Sequence, residues 1–224
     1  MILLDVPYDE KNEAKNLGAK WSPDYKKWYV EKREDYGKFI KWMGDDKLLV
    51  LDNLYLIEGI HTCFKCGKDT RVIGFGLDKY LPIYDYIIDD SVGSYDLERF
   101  ARDIKLSETM DPDIHIVGPI DPIPEALMRV LSKKYNYKMR YSKTINRSSI
   151  SNCCDYCDVL QGDFFLFSEV DSPFWINDIE DVKKLKIYHF ILNRDLLVEA
   201  NEGWSSFDEL FKKYGRIKSM RVKI

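Results

Sequence analysis

No apolar run in the 224-residue chain approaches the roughly 20 residues that span a bilayer, so no membrane helix is expected. Positive charge is not in excess: 34 Lys and Arg face 38 Asp and Glu, for a net −4. That balance excludes an indiscriminate coater of nucleic acid, because such binding rests on phosphate neutralisation by surplus cations. Histidine is scarce. His61, His115 and His189 lie far apart and outside any H-x-x-x-H or H-E-x-x-H pattern. The chain also lacks G-x-x-x-x-G-K, G-x-S-x-G and G-x-G-x-x-G, so no catalytic residue can be named and a non-enzymatic protein is expected. Met1-Ile2-Leu3-Leu4-Asp5 has no basic start and reaches an acid at once, unlike a signal peptide, which makes the cytoplasm the expected compartment. What the chain does have is 14% aromatic residues, too much buriable surface for a disordered protein.

The net charge is unevenly spread. Residues 1–43 carry nine basic and eight acidic side chains, residues 44–132 nine and seventeen, and residues 133–224 sixteen and thirteen. An α+β fold in two parts is expected, a small β-α-β-β-α module at 1–43 and a larger domain at 44–224. In the module, Leu3, Leu4 and Val6 suit a strand stopped by Pro7, and Asp9–Leu17 a helix closed by Gly18. Two short strands at 19–21 and 27–30 flank Ser22-Pro23-Asp24-Tyr25, a turn sequence. Tyr36, Phe39, Ile40 and Met43 then share one face of a second helix.

The run Val6-Pro7-Tyr8-Asp9-Glu10-Lys11 through Leu17-Gly18-Ala19-Lys20-Trp21, continued by Lys27-Trp28-Tyr29-Val30, resembles a small bacterial domain of unknown function. That domain is also found in some conjugative-plasmid DNA primases. The resemblance implies an association with DNA processing, and with mobile elements or phage, but carries no catalytic residues. It covers about a fifth of the chain.

Beyond the module, strands are expected over 48–57, 72–75, 163–167 and 187–192, and an acidic helical insertion over about 78–132 with helices at 95–106 and 124–134. Ser206-Phe207-Asp208-Glu209 fits a capping box before a closing helix, and Met220, Val222 and Ile224 alternate as a final strand.

Five cysteines form two groups, Cys63-x-x-Cys66 and Cys153-Cys154-x-x-Cys157. A C-x-x-C turn aims two sulfurs at one centre, and two such turns complete the tetrahedral thiolate shell that zinc prefers. The equal gaps assign Cys63, Cys66, Cys154 and Cys157 as ligands of one structural Zn²⁺ and leave Cys153 spare. Four thiolates close the site, so the metal serves folding and not catalysis. The 87 residues between the pairs exceed the usual 15 to 20 of compact zinc modules, which implies a split zinc ribbon. Tyr141-Ser142-Lys143-Thr144 through Cys157 to Phe165 is also similar to uncharacterised bacterial proteins that pair C-x-x-C turns, a similarity that brings no activity with it.

Lys133, Lys134, Tyr137, Lys138, Arg140, Tyr141, Lys143 and Arg147 lie in one run that contains no acid and leads into the second cysteine turn. Cations that neutralise phosphate, mixed with rings that stack on bases, point to nucleic acid, above all single-stranded. The competing expectation places the tyrosines in the core and the cations against the chain's own acids. Lys212, Lys213, Arg216, Lys218, Arg221 and Lys223 form a second basic stretch. Trp21, Trp28 and Tyr29 read as core of the small module, with a stacking platform as the alternative. An alternative partner is a protein with a basic surface, engaged by Asp78, Asp85, Asp89, Asp90, Asp96, Glu98, Asp103 and Glu108. Asp89-Asp90 and Asp111-x-Asp113 have the donor type for Mg²⁺ but sit in an acidic stretch where solvated loops are the rule.

Overall fold

The computed structural model describes residues 1–89, 91, 93–142, 146–202, 205–220 and 224, and it is a mixed α+β structure. The chain divides into two compact units: 1–52, 79–112 and 192–199 form the first, and 53–78, 113–191 and 200–224 the second. The first unit therefore extends beyond the expected 1–43 module by adding two later stretches.

Strand β1 (Ile2–Leu4) ends before Pro7, and a 3-10 turn at Tyr8–Glu10 leads into helix α1 (Lys11–Asn16). Gly18, at φ +107°, closes α1: its N–H donates to the Lys15 carbonyl and that of Ala19 to Ala14, each at 3.0 Å. These are the paired bonds of a glycine-ended helix. Strands β2 (Lys20–Ser22) and β3 (Lys27–Val30) follow, with β3 central between β1 and β2 in an antiparallel sheet. The helix expected near Arg33 is a 3-10 helix, Arg33–Trp42. Tyr36, Phe39, Ile40 and Met43, the four residues expected to share its inner face, are all buried, and Trp42 joins them, as the three-residue repeat of a 3-10 helix allows.

The strand expected over 48–57 is two strands, β4 (Leu48–Val50) and β5 (Asn53–Thr62). The break falls at Asp52, φ +61°, whose carboxylate accepts from Arg33 at 2.6 Å and Lys79 at 3.4 Å. After it the chain forms β6 (Asp69–Leu77), β7 (Tyr80–Pro82), β8 (Ile87–Asp89) and β9 (Ser94–Tyr95). Helix α2 (Leu97–Ser107) is capped by Asp96, which accepts the Arg99 N–H at 3.0 Å. Then come β10 (His115–Gly118), β11 (Ile120–Asp121) and α3 (Glu125–Lys134), which starts directly after Pro124. The acidic stretch is thus not one insertion. Residues 79–112 fold into the first unit, because Ile83, Tyr86, Phe100 and Ile104 are buried in one core with Tyr36 and Phe39. Residues 113–132 belong to the second.

A hairpin of β12 (Tyr137–Ser142) and β13 (Arg147–Asn152) follows. The run 163–167 is not a buried strand: Phe164–Ser168 is a π-helix in which Phe164 and Phe165 are exposed and Leu166 is buried. Its closing bond runs from the Glu169 N–H to the Phe164 carbonyl at 3.0 Å, and Phe167 stacks on Phe174 at 4.7 Å. Two adjacent solvent-facing rings are incompatible with strand alternation, so aromatic content alone misled the strand expectation. Helix α4 (Ile179–Lys184), β14 (Lys186–Ile191), β15 (Leu196–Ala200), α5 (Glu209–Tyr214) and β16 (Arg216–Ser219) complete the chain. The capping box expected before α5 is not formed. The Asp208 carboxylate accepts the Ser205 N–H at 2.9 Å and meets His115 Nδ1 at 2.7 Å instead. Of the final strand expected over 220–224, residues 221–223 lie outside the described residues.

In the first unit the return of Leu192–Glu199 is fixed by charge. Arg33 donates to both oxygens of the buried Asp195, at 2.9 and 2.5 Å, and the Tyr36 hydroxyl adds a bond at 2.7 Å. The second unit is built on a five-stranded sheet in the order β10-β6-β5-β14-β16, antiparallel except where β16 runs parallel to β14. Ile57, Val72, Leu166, Phe174, Val182, Leu185, Ile187 and Phe211 lie in its core.

Candidate metal centre and basic hairpin

The first cysteine pair sits on the loop of the β5–β6 hairpin and the second just after β13. The two turns are built alike. The Gly67 N–H donates to the Cys63 carbonyl at 2.9 Å and the Asp158 N–H to the Cys154 carbonyl at 3.1 Å. Five residues beyond each leading cysteine, the carbonyls of Lys68 and Val159 accept its own N–H at 2.9 Å. Gly67 and Asp158 both take left-handed backbone, φ +67° and +60°. Glycine adopts that conformation without strain, and aspartate is among the side chains that tolerate it best.

Each turn folds back tightly enough for its sulfurs to converge, and the four Sγ atoms of Cys63, Cys66, Cys154 and Cys157 lie within 4.8 Å of one another. Cys63 is 3.6 Å from Cys157 and Cys66 is 3.7 Å from Cys154. Sulfurs placed 2.3 Å from a tetrahedral centre have edges of about 3.8 Å, whereas a disulfide would need about 2.0 Å. The donor set therefore fits zinc and not a disulfide pair. Among the described residues this is the one gathering of metal-ligating side chains, and none of the three histidines joins it.

Local electrostatics favour loss of the thiol protons of Cys63 and Cys154. At Cys63 burial opposes ionisation, but the amides of Cys66 and Lys65 and the thiols of Cys157 and Cys154 outweigh it and lower its pKa. Burial likewise opposes the Cys154 thiolate, and the amides of Cys157 and Tyr156 again prevail. The Val159 amide favours a thiolate at Cys157, yet burial and the other three cysteines push that thiol up. Such mutual repulsion is the condition a divalent cation relieves. Cys153 is buried and outside the cluster, with Arg140 Nε 3.5 Å from its sulfur.

Several side chains that the sequence did not single out hold the two turns together. The Asn152 carboxamide accepts the Ile73 N–H and donates to the Ile73 carbonyl, both at 2.8 Å, in the manner of an extra strand pairing on β6. Thr70 Oγ1 accepts the Asp155 N–H at 2.8 Å, and Arg71 Nε donates to the Asp155 carboxylate at 3.0 Å. Buried Gln161 directs its Nε2 toward Cys63 Sγ at 3.6 Å. A polar residue four beyond the second turn was the signal available for Gln161; Asn152 gave none.

The expected nucleic-acid residues divide. Lys133 and Lys134 end α3, where Lys134 Nζ lies 3.3 Å from the buried Glu58 and donates to the Tyr188 hydroxyl at 2.9 Å. Tyr137 is buried against Phe75, so it is not the stacking ring expected. Lys138 pairs with Asp158 at 2.6 Å and Arg140 with the same carboxylate. Met139 and Tyr141 are 61% and 57% exposed on the face opposite Lys138, Arg140 and Arg147, which is also exposed. Lys143 lies outside the described residues. In the second basic stretch Lys212 pairs with Asp78 and Lys213 with Glu209, while Arg216 and Lys218 are exposed and Arg221 and Lys223 lie outside the described residues.

The acidic residues are similarly dispersed. Asp78 is buried and accepts from Tyr55 and Asn53, Asp96 caps α2, Asp103 accepts from the Tyr86 hydroxyl, and Asp90 is outside the described residues. Asp89 is exposed, and its carboxylate accepts from the N–H and hydroxyl of Ser91. No helix among the described residues is long and apolar enough to cross a membrane.

Comparison with known proteins bears on the first unit. Residues 1–44 form a domain described as "Domain of unknown function (DUF5710)". Two Escherichia coli proteins named DNA primase TraC share it, one 49% identical over 39 residues and the other 40% identical over 45. The aligned segments cover 17% and 20% of this chain but only 3% and 4% of those primases. No solved structure matches, and the remainder of the chain is unassigned.

Proposed function

We propose that the protein is a non-enzymatic nucleic-acid-binding protein whose four cysteines hold Zn²⁺ as a split ribbon, with the β12–β13 hairpin as a contact element. One observation carries the reading: the hairpin runs directly into the second cysteine turn, exposing Met139 and Tyr141 on one face and Arg147 on the other. Asp158 offsets one of the two charges on Lys138 and Arg140, so the cationic face keeps a surplus. A setting within a DNA-processing complex of a mobile element is supported by the domain shared with the primases. Zinc, when bound, supplies a cross-link between two chain segments 87 residues apart in sequence.

Fluorescence anisotropy with a labelled single-stranded oligonucleotide tests the proposal. Affinity should fall steeply with salt, as phosphate binding requires, and Arg147→Glu should weaken it several-fold. No binding by the zinc-loaded protein at about 50 mM salt, where phosphate contacts are strong, overturns the reading.

A further inference from the structure

We propose that the N-terminal domain carries its own single-stranded DNA site, a groove on the β1-β3-β2 sheet lined by Tyr8, Lys11, Trp21, Lys26, Lys27 and Trp28. The inference rests on the nucleic-acid reading above and adds a second, independent place of contact and the strandedness of the ligand.

The groove encloses about 570 Å³ between the chain after β1 and the indoles of β2 and β3, within the range of about 300–1,000 Å³ in which small-ligand clefts fall. Trp21 and Trp28 are directly opposed across β2 and β3, with ring centroids 5.8 Å apart and planes 69° to each other. Leu4 on β1 is opposed to Trp28 and buried, so these three residues share one sheet face. Trp28 packs partly against the core. Trp21, on the edge strand, does not: it is 51% exposed. The edge-to-face contact with Trp28 uses one side of the Trp21 indole and leaves half of the ring in water, where a flat aromatic surface can stack on a base.

Tyr8 supplies a second ring, 82% exposed, with Lys11 Nζ 3.5 Å from its centroid. Lys26 stands exposed in the turn between β2 and β3 without an acidic partner among the described residues. Its backbone is left-handed, φ +51°, a conformation that Gly or Asn adopts more cheaply. Lys27 is held by Asp5 at 2.6 Å, the one acid in the lining. Three cations against one carboxylate, interleaved with three rings, match a strand of unpaired bases joined by phosphates. A duplex keeps its base faces stacked inside and offers nothing to Trp21. A proline-rich peptide also uses aromatic grooves but gains nothing from the lysines.

The test uses the full-length, zinc-loaded protein with labelled oligo-dT, the same length of oligo-U, a duplex and a proline-rich peptide. Oligo-dT should bind most tightly and quench tryptophan fluorescence. Trp21→Ala should lower oligo-dT affinity about tenfold or more, and Trp21→Phe should restore most of it. Lys11→Glu with Lys26→Glu should weaken binding and flatten its salt dependence. Thermal melting checks that these exposed sites leave the fold intact. If oligo-dT binding survives both Trp21→Ala and the Lys11→Glu, Lys26→Glu pair while Arg147→Glu reduces it, the groove is overturned and the hairpin reading stands. If no nucleic acid binds the wild-type protein, both fall. Preference for the duplex, the RNA or the peptide overturns the assignment to single-stranded DNA.

Discussion

Glu58 shows how much of the second unit depends on single charged groups. It lies on β5 with only 4% of its surface exposed, accepting from Lys186 at 2.7 Å and the Tyr135 hydroxyl at 2.6 Å, with Lys134 at 3.3 Å. Burial opposes its charge, but Lys186, Tyr135 and Lys134 outweigh it and hold its pKa at about 2. A carboxylate with a depressed folded-state pKa stabilises the fold above its unfolded value, near 4.5, and loses that contribution as pH falls toward 2. Glu58→Gln should therefore be less stable than wild type at pH 6, and urea midpoints of the two should converge between pH 4.5 and the lowest pH at which both still fold. A gap that does not change with pH would mean that the charge is not what Glu58 contributes. Nothing in the sequence marked this residue, since its partners come from positions 76 to 130 residues away.

The two cysteine turns were the most legible elements, because the chemistry that builds them is local. A two-residue gap, a residue at left-handed φ after it and converging sulfurs need no long-range information. That locality makes the ligand assignment sharply testable. Cys66→Ser should abolish stoichiometric zinc in elemental analysis and lower the unfolding free energy by more than about 4 kcal/mol, the scale at which loss of a structural metal stands out. Cys153→Ser should keep one zinc per chain and cost no more than about 1–2 kcal/mol. Loss of zinc in both would return Cys153 to the ligand set. Elements with tertiary causes were harder to read. The run 48–57 looked like one strand because apolar residues lie on both sides of Asp52-Asn53, yet Asp52 turns the chain where Arg33 and Lys79 hold its carboxylate. The run 163–167 looked buried because it is aromatic, yet two of its rings face solvent. Trp21 was read as core on size alone, and only the sheet order, which puts β2 at an edge, shows why it is not.

At the scale of the molecule, the consequential fact is that every cysteine lies in the second unit and none in the first. The first unit has its own core, from Ile2 and Leu4 through Tyr36 and Phe39 to Phe100 and Ile104, and its own long-range tie between Arg33 and Asp195. A metal held by the four cysteines would therefore matter unequally along the chain. When a strong chelator strips the zinc, amides of β5, β6, β12 and β13 should lose hydrogen-exchange protection, because the thiolates left behind repel one another and the cross-link between residues 63–66 and 154–157 is gone. Amides of β1, β3 and the 3-10 helix at 33–42 should keep theirs. The same treatment should abolish the contribution of Arg147 to oligonucleotide affinity while sparing that of Trp21, since one sits on the metal-held hairpin and the other on a sheet that contains no ligand. Uniform loss of protection across residues 1–44 would show that the first unit's core does not sustain it without the metal.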